Sequence, residues 1–231
     1  TAMGTPPVGP PSEPFPAALA DFRPVVDGRP NWLASYDDAR AIARESGKPM
    51  LLWIWHPDCP LCVRLDRETF TDAGVHADLE SFVPVRLDAM QLDAGSDLGR
   101  RFEKAFAAGE WPYVAALEPD GSTLVTAHGV SSLGDARPRL DDAARRAGEK
   151  PRPTWEQVRA VASDLAGVEE AKKARRLGEA LTASRRAADT VSGTGSNGIG
   201  ARARWFAMTL PESPQRVLET AALAGDPESQ L

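Results

Sequence analysis

Met50-Leu51-Leu52-Trp53-Ile54-Trp55 is an uninterrupted apolar run of strand length. A strand without polar alternation has no face to offer water, so it is expected to be covered on both sides, as in sheets with helices packed on each face. Its flanks are consistent with that placement. Upstream, Ser35 is a candidate N-cap with Asp37 and Asp38 in the first turn, Ala39, Ile42 and Ala43 give one apolar helix face, and Gly47-Lys48-Pro49 ends the helix. Downstream, His56-Pro57-Asp58 supplies turn residues and Cys59-Pro60-Leu61-Cys62 opens the next helix. A further helical stretch runs from about Thr71 to Glu80, and Phe82 to Asp88 is again a short apolar strand. Because a helical crossover separates the two strands, they are expected to be parallel neighbours.

The remaining pattern is of the same α/β kind. Asp97 to Ala108 is expected to be helical, with Leu98, Phe102, Ala105 and Phe106 on one side. Tyr113–Leu117 and Thr123–Ala127 flank Pro119-Asp120-Gly121, a hairpin signal, and Leu133 to Ala147 follows as a helix. From Pro151 the character changes. Thr154 is placed to cap a long Ala-, Arg- and Glu-rich helix carrying Val158, Val161, Leu165, Val168, Leu177 and Leu181. Gly193–Gly200 is expected to interrupt the helical region as a loop, with further helical stretches at 201–210 and 217–224 making a hairpin or small bundle.

Composition divides the 231 residues in the same way. Eight of the 20 prolines fall in the first 30 residues, which show neither helical nor strand period and read as an extended, Pro-rich spacer. Thr1-Ala2-Met3 has the look of a cloning remnant. Residues 1–150 hold 16 basic and 23 acidic side chains, whereas 151–231 hold 11 and 10. The expected organisation is therefore a leader over 1–30, an α/β domain over 31–150 and a helical extension over 151–231. The whole chain has 27 basic and 33 acidic side chains, net −6, which argues against a general nucleic-acid binder. No stretch reaches the ~20 apolar residues of a spanning helix. Two cysteines are too few for a disulfide framework or an all-cysteine zinc site.

Those two cysteines are the chemistry-bearing feature. Cys59 and Cys62 lie directly after a buried strand and at the start of a helix, within a strand–helix–strand unit. A first-turn sulfur meets unpaired backbone N–H groups and the positive end of the helix dipole, both of which favour the thiolate. Cys62, one turn later, is placed to close the ring as the resolving thiol. Pro60 at the first helical position costs nothing, because its missing N–H would have had no partner.

With these residues, the stretch from Asn31-Trp32-Leu33 through Gly47-Lys48-Pro49 to Cys59–Cys62 resembles the thioredoxin family, specifically the thioredoxin-like domains of bacterial thiol:disulfide interchange proteins. Trp111-Pro112 resembles the segment that bears that family's cis-proline, and the hairpin after it matches as well. The resemblance covers roughly residues 31–148. It implies a thioredoxin-like fold, a mixed four- to five-stranded sheet flanked by helices, with the C-terminal helices added. It also implies that Pro112 faces the site and that its flanking backbone docks the substrate. The sequence departs from the family at three places: Trp53 stands where the family has a buried Asp, Asp58 where it usually has Trp, and Val63 where Lys commonly follows the second Cys. The missing acid removes the usual proton acceptor for the resolving cysteine. Asp58 is a like charge beside the Cys59 thiolate and opposes the helix dipole.

The expected activity is thiol–disulfide oxidoreduction on protein disulfides and dithiols, Cys59 exchanging first and Cys62 resolving. Trp111, Trp55, His56, Asp58, Pro60 and Leu61 would shape the site beside Pro112. The disulfide is itself the electron carrier, so no separate cofactor or metal is expected. Expected partners are protein thiols and an upstream redox protein, with no nucleic acid, no membrane span and a monomeric chain. The Pro-rich start fits an exported, periplasmic or envelope-associated protein, with the cytoplasm as the other placement. Two alternatives stand beside this reading: an interaction module with little redox activity, and a copper-binding thioredoxin-like protein using Cys59, Cys62 and His56 or His128. Among simpler roles, His76 and His128 are expected to be structural or exposed. Lys172-Lys173 and Arg175-Arg176 read as a solvated helix face among Glu169, Glu170 and Glu179, and Gly193–Gly200 as a linker rather than a phosphate loop.

Overall fold

The computed structural model describes residues 19–92, 98–100, 102, 111–128, 132–173, 177–191 and 199. In chain order its elements are β1 (Val25–Val26), β2 (Arg29–Pro30), α1 (Tyr36–Ser46), β3 (Met50–Trp55), α2 (Pro60–Glu68), α3 (Ala73–Leu79), β4 (Val83–Asp88), a 3-10 turn (Ala89–Gln91), β5 (Tyr113–Leu117), β6 (Thr123–His128), α4 (Leu133–Gly148), α5 (Trp155–Lys173) and α6 (Leu177–Thr190). The main sheet has the order β4-β3-β5-β6. β3 and β4 are parallel, as the crossover requires, while β5 runs antiparallel to both β3 and β6. Leu33 adds a parallel bridge to Val85 at the β4 edge.

The apolar run of β3 feeds two cores. Met50, Leu52 and Ile54 point to one face, where they share a core with Ala39, Ile42 and Ala43 of α1, with Val158, Val161 and Leu165 of α5 and with Ala180, Ala183 and Ala187 of α6. Leu51 and Trp53 point to the other, with Cys62 and Leu65 of α2, Val75 and Leu79 of α3 and Leu140 of α4. The alternation of a strand thus explains why no residue of Met50–Ile54 is polar.

Local chemistry sets the helix ends. Ser35 caps α1, its side chain accepting the Asp38 N–H at 3.2 Å, and Gly47 ends it at φ 72°. α3 begins later than expected, because Asp72 caps it through bonds from Gly74 and Val75 N–H (2.9 and 3.0 Å). Thr154 and Gln157 form a reciprocal capping box at α5, each side chain accepting the other's N–H (3.2 and 2.8 Å).

Three expectations change. The spacer anticipated through residue 30 gives way by residue 19: Leu19 and Phe22 are buried in the first core, Phe22 lies 4.9 Å from the Trp155 ring, and β1 and β2 pair across Asp27-Gly28. Both turn residues have positive φ (50° and 67°), the conformation an Asp-Gly pair supplies in a tight hairpin. The single long helix after Thr154 is two helices, α5 and α6. They run antiparallel, tied by Gln157 to the Thr190 carbonyl (3.3 Å) and by Arg186 to Asp164. α6 begins at Leu177, ahead of the glycine-rich segment, and Ala180, Ala183 and Ala187 of α6 lie in the same core as Val158, Val161 and Leu165 of α5. The extension also shares the core of the sheet, so the boundary at 150/151 is one of composition and not of packing. Of the helix expected at 97–108, residues 98–100 and 102 are helical, with Phe102 against Tyr113 at 5.3 Å. Its remainder, all but Ile199 of the expected 193–200 loop, and the stretches 201–210 and 217–224 lie outside the described residues.

Candidate active site at the Cys59–Cys62 disulfide

The cysteines sit where β3 passes into α2. His56 turns the chain, its carbonyl accepting the Cys59 N–H and its Nδ1 accepting the Asp58 N–H, both at 3.1 Å. Cys59 is the N-cap of α2, with extended backbone (φ −96°, ψ 106°), and Pro60 takes the first helical position. The Cys59 carbonyl accepts from Cys62 and Val63 (3.1 and 3.2 Å), and Cys59 Sγ itself accepts the Cys62 N–H at 3.1 Å. A sulfur thus occupies the place where a capping oxygen ordinarily sits, among the unpaired N–H groups of the first turn. That environment favours a thiolate once the bond is reduced.

Cys59 and Cys62 are joined as a disulfide with Cα atoms 5.3 Å apart, within the normal span. The two sulfurs are not equivalent. Cys62 is 1% exposed and belongs to the second core, whereas Cys59 is only half-buried against it. A partner approaching from solvent meets Cys59 first.

β5 brings its own residues to the same end of the sheet. Ile54–Tyr113 is the last pair of the β3–β5 register, so the next steps set Pro112 beside Trp55 and Trp111 beside His56. The His56 and Trp111 rings are 6.1 Å apart, and the Trp111–Pro112 peptide is cis with Pro112 buried. Pro57, Asp58, Pro60 and Leu61 form the exposed rim, Leu61 presenting 38% of its surface. Every residue expected at the site therefore lies at the end of β3, on the turn and first helical residues that follow it, or directly before β5.

The departures from the expected pattern have structural content. Trp53 is fully buried and packs on Trp32 (5.3 Å) and Phe70 (4.8 Å), an aromatic cluster in the place of a buried carboxylate. Arg86, its register partner on β4, lies 5.5 Å from the Trp53 ring and 5.4 Å from the Trp55 ring. The same guanidinium pairs with Asp66 of α2 at 3.7 Å. Neither Arg86 nor Asp66 was singled out from the sequence. The signal was available: Arg86 is the lone charge inside Val83-Pro84-Val85-Arg86-Leu87, and Asp66 follows Cys62 by four residues, one helical turn.

Other sequence candidates stand elsewhere. His76 Nε2 bonds the Phe70 carbonyl (2.9 Å), a structural contact, and His128 pairs with Tyr113 at the end of β6. Among the described residues, no three His, Cys, Asp or Glu side chains are grouped as a metal site. Also among the described residues, no helix is long and apolar enough to cross a membrane.

Comparison with known proteins gives a family match over this part of the chain. A family model described as thioredoxin-like matches residues 31–119, which span α1 through β5 and include the cysteine pair and Pro112. No curated protein matches. Nine chains of solved structures match, among them the solution structure of a thioredoxin from Thermus thermophilus, at 18% identity over 50% of this chain and 88% of that one, with a TM-score of 0.39. Residues 31–119 of this chain are similar to thioredoxin-like domains, and the strands among them belong to a mixed four-stranded sheet that α5 and α6 cover on one face.

Proposed function

We propose that the protein exchanges thiols and disulfides with other proteins through Cys59 and Cys62. The observation that carries this reading is the asymmetry of the pair: a half-buried Cys59 whose sulfur caps a helix, bonded to a buried Cys62. In the reducing direction the Cys59 thiolate attacks a substrate disulfide and releases one substrate thiolate. Cys62 then attacks Cys59, the mixed disulfide breaks, and the second substrate thiolate leaves. Two electrons pass to the substrate, the Cys59–Cys62 bond forms, and no separate cofactor is needed. Pro112, one register step beyond Tyr113 and next to Trp55, is the docking point for substrate backbone, with Trp111, His56 and Leu61 around it. The upstream partner is a second thiol–disulfide protein, and an exported or envelope setting suits the pair.

Trapping tests the reading. Cys62→Ser leaves Cys59 able to attack but not to be resolved, so mixed disulfides should accumulate on Cys59 and be identifiable by mass spectrometry. An absence of trapped species, together with no insulin reduction by the wild-type protein, sinks the proposal and favours an interaction module.

A further inference from the structure

Cys62 is 1% exposed, so its thiol does not surrender a proton directly to bulk water, yet it must be a thiolate to attack. The residue beneath it on β3, Trp53, carries no base. The charged or titratable groups around this end of the sheet are few. His56 and Asp58 belong to the turn, and the His56 Nδ1 lone pair is already engaged by the Asp58 N–H. β4 presents Arg86 and, at its end, Asp88, whose Oδ1 accepts the Met90 N–H at 2.9 Å. α2 presents Asp66. α3 and α4 contribute apolar side chains to the core that holds Cys62.

Of these, Asp66 has the right placement. It lies four residues after Cys62 on the same helix, which sets their Cβ atoms about 5–6 Å apart, the span of one bridging water. Its carboxylate is anchored toward the sheet by Arg86 at 3.7 Å, and Arg86 is in turn fixed by stacking on Trp53 and Trp55. Its side chain is 48% exposed, so a proton it takes up passes to solvent.

We propose that Asp66 is the proton acceptor for Cys62 during resolution and that Arg86 is its positioning residue; this rests on the exchange activity proposed above. As Cys62 attacks, its S–H proton passes through a water to the Asp66 carboxylate, leaving a thiolate and a carboxylic acid. The thiolate forms the Cys59–Cys62 bond and the substrate sulfur departs with the electron pair of the broken mixed disulfide. Asp66 then releases the proton to solvent. The substrate disulfide is the oxidant, and run backwards the same group returns the proton to Cys62. The function of a buried acid is thus supplied from the helix rather than from the strand.

The test separates the two chemical steps. Reduced full-length protein mixed with one equivalent of 5,5′-dithiobis(2-nitrobenzoate) releases one thionitrobenzoate when Cys59 attacks and a second, in a first-order step, when Cys62 resolves. Asp66→Asn should slow the second release about a hundredfold at pH 6.5, the low end for loss of a general base, and the deficit should close toward pH 9. There an unassisted thiol with a pKa of ~8.5 ionises by itself. Asp66→Glu should stay within about threefold of wild type, Arg86→Gln should slow the same step in the same pH window, and the first release should be unchanged in all three. Resolution by Asp66→Asn at the wild-type rate at pH 6.5, or slowed equally at every pH, overturns the assignment. A wild-type protein that gives no first release overturns the exchange reading itself, and this assignment with it.

Discussion

Arg152 donates to Glu118 at 2.7 Å with both side chains nearly out of solvent, 12% and 8% exposed. The same guanidinium bonds the carbonyls of Gly47 (2.5 Å) and Ala147 (2.9 Å), so one side chain ties the end of α1, the end of α4 and the end of β5. This knot sits at the opposite end of β3 from Cys59 and fixes the chain as it enters α5. Burial alone would raise the Glu118 carboxyl, but bonds from Lys150 and Arg152 outweigh it and hold the carboxyl below its usual range.

Arg152→Met should therefore destabilise the fold by about 3 kcal/mol, because it strands a buried carboxylate with Lys150 as its remaining partner. Urea unfolding should show a lower midpoint at unchanged slope. Adding Glu118→Gln should recover part of the loss, since the second change removes the stranded charge. A depressed carboxyl contributes stability that is present above its unfolded value of ~4.3 and is lost as pH falls through the folded value. Wild type should accordingly lose stability on acidification below about pH 4 more steeply than Glu118→Gln.

Lys48 gives the opposite sign. Its side chain is 8% exposed, and burial, reinforced by Arg152 and opposed by Glu80, lowers the ammonium from an ordinary 10.5 to about 8. Its Nζ lies 5.6 Å from the Trp155 ring and 3.5 Å from the Glu80 carbonyl, contacts too weak to repay desolvation fully. Between pH 8 and 10.5 the unfolded chain binds the proton that the folded one does not, so stability rises with pH in that window. Below pH 8 the penalty is complete. Lys48→Met should be more stable than wild type at pH 7, by about 1–3 kcal/mol, and the difference should vanish by about pH 10.5. Paired urea titrations at the two pH values check it.

How much of this was legible in the sequence varies with how local the cause is. β3 was placed to the residue because a six-residue apolar run admits few other readings, and the Ser35 and Gly47 caps followed from side-chain chemistry within one turn. The Cys59–Cys62 disulfide and the cis Trp111–Pro112 peptide stand at the positions their local motifs marked. The burial of Leu19 and Phe22 was not legible, because it depends on Trp155, more than 130 positions away in a segment of different composition. No Pro stands between α5 and α6, and the apolar pattern runs from one into the other, so the two read as one helix; the Asp27-Gly28 hairpin was hidden by surrounding prolines. The Arg86–Asp66 pair joins a strand to the helix before it, a contact that β3–β4 register creates and that neither residue signals alone.

Trp53 tests whether the buried acid of the family can simply be put back. The ring fills the space between Trp32, Phe70 and the Arg86 guanidinium, so Trp53→Asp leaves a cavity lined by aromatic side chains and places a carboxylate in it. Large-to-small replacement of a buried Trp costs about 3–5 kcal/mol before the charge is counted. Trp53→Asp should therefore unfold at markedly lower urea than Trp53→Phe, which keeps an aromatic ring in place. Near-wild-type stability in Trp53→Asp would mean that the aromatic cluster contributes little to the second core.

Asp58 bears directly on how reactive the exposed cysteine is. Its backbone N–H is bound to His56 Nδ1 and its side chain is exposed, one residue before the helix-capping sulfur. The helix N-terminus favours a Cys59 thiolate while the neighbouring carboxylate opposes it, and both act within the first turn. Like charges at the surface are screened and exchange small energies, typically below 1 kcal/mol, which corresponds to a few-fold change in thiolate population. Asp58→Asn keeps the shape of the turn and removes the charge. It should raise the rate of Cys59 alkylation by iodoacetamide at pH 7 about two- to fivefold in low salt, and added salt should narrow that gap. An unchanged rate at low salt would show that the helix terminus alone sets the thiolate, with the residue before it a bystander.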